Sequence, residues 1–137
     1  MNQKIKEWID MADTDYGVAE HLFKTYYPKP YEIICYHCQQ AVEKMIKSII
    51  IAAEIPGGMP KSHDLSFLLN LVKNRIDVPE KIYDYADELT PYGVAIRYPN
   101  ELFLEERHVK AALQMTKETL EWGKGIIEIG DKKGLQQ

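Results

Sequence analysis

Between Tyr31 and Ala53 the sequence YEIICYHCQQAVEKMIKSIIIAA sets Ile34, Cys38, Ala41, Val42, Met45, Ile49 and Ala52 at steps of three and four. A strand alternates with period two, so this spacing demands a helix with one apolar stripe. His37, Gln40, Lys44 and Lys47 form a second stripe, about 130° around the same helix at roughly 100° per residue. One face is built for a core. The neighbouring face carries an imidazole, an amide and two ammonium groups in a row, which makes it the first place to look for a working surface.

The rest of the chain repeats the helical pattern between breakers. Residues 4 to 26 carry Ile5, Trp8, Ile9, Ala12, Tyr16, Ala19, Leu22 and Phe23 on one face, and Tyr27-Pro28-Lys29-Pro30 ends that helix because proline donates no backbone hydrogen bond. The second helix stops at Ile55-Pro56-Gly57-Gly58-Met59-Pro60. Ser62 or Asp64 suits the cap of a short helix through Leu65, Leu68, Leu69 and Val72. Pro79 suits the first turn of a fourth helix carrying Ile82, Tyr85, Ala86, Leu89, Gly93 and Ile96, with a kink or break near Thr90 imposed by Pro91. The last helix is predicted from about Leu104 to Ile129, with Leu104, His108, Ala111, Ala112, Met115, Thr119, Trp122 and Ile126 in register.

These stripes need partners, since no such helix is stable alone in water. The expected fold is all-α: an antiparallel up-and-down four-helix bundle with a short accessory helix. It would occupy residues 1–130 as one domain, followed by a flexible C-terminal tail over 131–137. At 137 residues the chain suffices for one core. The net charge of −4 gives no global basic field for nonspecific binding along nucleic acid. No apolar run approaches the ~20 residues that cross a bilayer, and no signal peptide is evident, so the protein reads as cytoplasmic.

Three groups of residues carry potential chemistry. Cys35 and Cys38 form a C-x-x-C, but both fall on the apolar side of the second helix, no second ligand pair follows, and structural zinc takes four ligands; they read as core thiols. His37, His63-Asp64 and Asp84 or Asp87 loosely follow the ligand order of all-helical HD metal phosphohydrolases, where metal-activated water attacks a phosphate ester. Asp64 is equally explained as a helix cap. Lys44, Lys47 and Arg97 are cations suited to phosphate, arginine as a bidentate fork and lysine as a point charge, and Tyr98 could stack on a base. Solvated lysines and an arginine capping helical carbonyls are the plain alternative.

Gln39-Gln40-Ala41-Val42-Glu43-Lys44-Met45-Ile46-Lys47 resembles the QQAxEKxxK signature of HEPN domains, Lys61-Ser62-His63-Asp64-Leu65 is similar to their K-T-H-D-L, and Arg97-Tyr98-Pro99 matches the RYP tripeptide of one subgroup. The motifs stand in the family's order across residues 5 to 129. The resemblance implies a helical bundle, usually a homodimer, that handles nucleotides or RNA. Such domains are often encoded beside, or fused to, a minimal nucleotidyltransferase, as in toxin–antitoxin-type pairs. By position, the implied phosphate- or nucleotide-binding residues are His37, Gln40, Lys44, Lys47, Arg97 and Tyr98, with no metal or cofactor.

HEPN ribonucleases share an arginine followed after four to six residues by a histidine, and this chain departs from that pattern. Arg97 meets no histidine until His108, Arg75 has none, and Arg107 and His108 are adjacent. The leading expectation is therefore a noncatalytic domain; the alternative is a metal-independent ribonuclease of toxin type with a composite His37 and Arg97 site. Tyr83, Tyr85, Tyr92 and Tyr98 crowd the segment before Pro99, which is consistent with a dimer interface.

Overall fold

The computed structural model describes residues 2–94 and 102–135, the side chains of 132–135 excepted. Its described residues form five α-helices and no strand: α1 (Gln3–Thr25), α2 (Tyr31–Ala52), α3 (Leu65–Val72), α4 (Glu80–Leu89) and α5 (Glu106–Leu135), with a 3-10 turn at Thr90–Gly93 between the last two. The expected all-α bundle is what the chain forms, with α1, α2 and α5 as its long members.

Local chemistry fixes the helix ends. The Asn2 side chain accepts from the Lys4 N–H at 2.7 Å and opens α1. Asp64 accepts from the Phe67 N–H at 3.2 Å and opens α3, so it serves as the cap. α4 stops at Leu89, one residue before the expected break, and the chain tightens into the 3-10 turn over Thr90-Pro91-Tyr92-Gly93. Ile96 lies outside the described residues. At the far end α5 passes Ile129 and continues to Leu135. Gly130 weakens a helix by about 1 kcal/mol but does not terminate one.

α2 is the axis of the molecule. It packs against α1 on one side and α5 on another, with α3 and the 3-10 turn closing a third. Ile34, Cys38, Ala41, Val42, Met45 and Ile49 are buried as the stripe requires, and so are Cys35, Ile46 and Ile50 off the stripe. Ala52, at the end of the stripe, is exposed. The five-residue connection from Tyr26 to Pro30 returns the chain antiparallel to α1. α5 comes close enough that a Cβ on Gly123 would sit 2.5 Å from Met45 Cγ. Because α2 is covered on three sides, its polar stripe runs along the α1 border rather than into open solvent. No helix among the described residues is long and apolar enough to cross a membrane.

Candidate functional site

His37 and Lys44 are seven residues apart, two helical turns, and therefore share a face of α2. Across the border, α1 supplies Asp15, which is buried. His37 Nδ1 donates to Asp15 Oδ1 at 2.9 Å, and Lys44 Nζ donates to Asp15 Oδ2. A carboxylate only accepts, so Nδ1 carries the proton of this contact. His37 and Lys44 keep 27% and 20% of their side-chain surface exposed, while Asp15 keeps 12%. Beside the trio a hollow of about 240 Å³ opens between the helices, lined by Asp10, Met11, Thr14, Asp15 and Lys44. Both side chains thus keep part of their surface in solvent while their shared carboxylate is sheltered.

A second polar cluster lies along α2 at steps of four. Glu43 is buried and accepts from Lys47 Nζ at 3.0 Å, Gln39 Nε2 at 3.2 Å and His63 Nδ1 at 2.7 Å. Gln39 also donates to the His63 carbonyl at 3.1 Å, tying the loop before α3 to α2. Burial pushes the Glu43 carboxyl up, but the hydrogen bonds from His63, Lys47 and Gln39 and the charge of Lys47 outweigh it, and the group ends below its ordinary value. Lys47 is itself buried, with Nζ 5.7 Å from the centre of the Trp8 ring. The 3-10 turn seals this cluster, because a Cβ on Gly93 would lie 2.8 Å from Gln39 Cδ.

Of the six residues singled out in the sequence, the structure brings two together directly: His37 and Lys44, on Asp15. Gln40 donates to Gln39 at 2.8 Å, one step from the second cluster. Lys47 faces Glu43 and Trp8 instead of the hollow. Arg97 and Tyr98 lie outside the described residues. The cations that the sequence suggests would await an external anion already have internal ones, Asp15 and Glu43. Both acids left a signal. Asp15 stands three residues after Ala12 and four before Ala19, on the apolar stripe of α1 where a lone acid needs a partner. Glu43 stands four residues from both Gln39 and Lys47.

The other candidates separate. Cys35 and Cys38 are fully buried, and burial pushes both thiols up to about 12, as core cysteines should be. The HD-like set is dispersed: His37 faces Asp15, His63 faces Glu43, Asp64 caps α3, and Asp87 accepts from Ser66 at 2.5 Å. Among the described residues no three His, Cys, Asp or Glu side chains gather as metal ligands would. Tyr83 and Tyr85 are half-buried, their hydroxyls donating to Asn70 and Glu118, both at 3.1 Å.

The HEPN domain model matches residues 5–127, nearly the whole bundle and both polar clusters. The chain belongs to the HEPN family. Its fold is similar to the crystal structure of TT1696 from Thermus thermophilus, at 20% identity and TM-score 0.73, over 90% of this chain and 98% of that one. It is also similar to ST0689, an archaeal HEPN homologue, at 24% identity and TM-score 0.71, over 93% and 99% of the two chains. An HEPN domain protein of Thermotoga maritima, tm0613, aligns at 20% identity and TM-score 0.52, over 96% and 99%. No curated protein sequence matches. At these identities the likeness is one of fold, so the HEPN assignment fixes the architecture and leaves the ligand to be argued from the site.

Proposed function

We propose that this HEPN domain binds the phosphate of a nucleotide or an RNA on the α1–α2 border, and that it acts as a homodimer alongside a nucleotidyltransferase partner in a toxin–antitoxin-type pair. One observation carries the reading: His37 Nδ1 and Lys44 Nζ converge on a single anionic group at the edge of an open hollow. Two donors aimed at one anion position are what phosphate recognition requires. Gln40 stands on the same stripe of α2. Arg97 and Tyr98 lie outside the described residues and enter this reading by the family resemblance alone. Lys47, stacked on Trp8, acts by holding Glu43 in place.

The experiment is calorimetric titration with ATP and with a short RNA at two salt concentrations. Lys44→Gln and Arg97→Ala should each weaken binding about ten- to a hundredfold, the loss of one charge-assisted contact. Lys117→Ala, on the exposed face of α5, should bind as the parent does. If all three variants match the parent, these cations are surface charge and the proposal fails.

A second reading follows from the His37–Asp15 contact, since an imidazole oriented by a carboxylate is also what a general base looks like. Metal-free RNA cleavage by the parent, lost in His37→Gln, would replace the binding domain with the ribonuclease.

A further inference from the structure

Asp15 occupies the position an incoming phosphate would need. Its carboxylate takes one hydrogen bond from each donor, is mostly shielded from water, and borders the hollow through which a ligand would enter. Binding is therefore an exchange of anions on the same two donors. We infer that the ligand of this site is a terminal phosphate monoester, and that Asp15 is the residue that excludes internal phosphodiesters; the inference rests on the reading of the α1–α2 border as a phosphate site.

Charge separates the two kinds of phosphate. A phosphodiester carries a single charge, the same as the carboxylate it would displace. It gains no Coulomb energy in the exchange and leaves Asp15 beside a like charge in a sheltered place. A terminal phosphate carries about −1.5 to −2 at pH 7 and three strong acceptor oxygens. At that charge it can compete with Asp15 for Lys44, which lines the hollow, and for His37, which shares the carboxylate without lining the hollow. Nucleotides and phosphorylated RNA ends share this chemistry.

The test compares AMP, the dinucleotide ApA, whose only phosphate is a diester, and pApA, which adds a 5′-phosphate. The parent at pH 7.5 should bind AMP or pApA at least about tenfold more tightly than ApA, a difference of one strong ionic contact. Binding of both AMP and pApA would assign the phosphate as sufficient; binding of pApA alone would assign an RNA end; either supports the inference. Asp15→Asn keeps an acceptor oxygen and the side-chain shape but removes the charge, so ApA should gain and the preference should fall below about threefold. Asp13→Asn, on the same helix but paired with Lys124 at 2.7 Å, makes the same change in net charge and should leave the preference intact. Should the Asp15 variant fail to fold, the His37 ring resonances of the parent supply the readout: AMP or pApA must move them and ApA must not. Equal affinity of the parent for ApA and pApA overturns the inference, as does an unchanged preference in a folded Asp15→Asn. Those results leave phosphate binding itself standing, whereas a parent that binds none of the probes, nor ATP or RNA, removes both.

Discussion

Glu43 shows how a single buried acid can govern stability without touching a ligand. Three donors from two segments meet on its carboxylate, and Lys47 is buried with it. Removing one member of a buried ion pair strands the other charge, so Glu43→Gln should cost about 3–5 kcal/mol in urea denaturation at neutral pH. The network favours the ionised carboxyl and sets it below its ordinary value of 4.5. A depressed folded-state value contributes stability that is complete above the unfolded value and is lost as the pH falls through the folded one. The gap between parent and Glu43→Gln should therefore be widest near neutrality and narrow below the ordinary carboxylate range. A gap that is constant down to strongly acidic pH would show that the network does not depend on the charge of Glu43. The cysteines give a simpler residue-scale test. With both thiols pushed up to about 12 by burial, Cys35 and Cys38 should resist a disulfide reagent at pH 8 in the native protein and react at once in urea; fast modification of the folded chain would contradict the buried placement.

At the scale of elements, the contact of α2 with α5 is set by a glycine. Gly123 faces Met45 and Ile49, and an added Cβ would meet Met45 Cγ at 2.5 Å and Sδ at 2.7 Å, whereas Gly125, half a turn on, has nothing within 4 Å. Alanine gains about 1 kcal/mol over glycine inside a helix. Gly125→Ala should realise that gain in thermal unfolding. Gly123→Ala should lose it to overpacking, which costs about 1–3 kcal/mol, and a Gly123 variant as stable as the Gly125 one would mean that the helices do not pack this tightly. Most element boundaries were legible because prolines mark them: Pro28 and Pro30 after α1, Pro56 and Pro60 after α2, Pro91 after α4. The end of α5 was not, because Gly130 looks like a stop and the helix runs through it. The environment of the second stripe on α2 was also hidden. Periodicity placed His37 and Lys44 on one face, but which residue of α1 lies opposite depends on how two helices register. Asp15 was visible only as an acid out of place among apolar neighbours.

At the scale of the whole molecule, several exposed apolar side chains among the described residues gather near the start of α2. Ile33 and Phe103 are exposed and line a hollow of about 400 Å³ with Pro30, Tyr31, Glu32 and Leu104, and exposed Tyr26 and Tyr27 lie on the connection just before it. Phe103 has 79% of its surface in solvent and a φ of 51°, a left-handed conformation that a bulky residue adopts only at some cost. An exposed aromatic ring on strained backbone gains nothing from the fold of its own chain. Tyr83, Tyr85 and Tyr92, whose crowding in the sequence suggests an interface, are half-buried within the subunit, so the proposed homodimer has more apolar surface to gain at the Ile33–Phe103 end. A stable pairing there should bury more than about 1,000 Å² in total, and the two aromatic or aliphatic anchors should dominate it. Light scattering at tens of micromolar should then give twice the monomer mass for the parent. Ile33→Ser combined with Phe103→Ser should shift the protein towards monomer by about tenfold or more in dissociation constant, with little change in the thermal stability of the bundle, because neither side chain belongs to the core. A parent of monomer mass would remove the dimer from the proposal. A double variant that stays dimeric would keep the dimer and move its interface away from this end of the molecule.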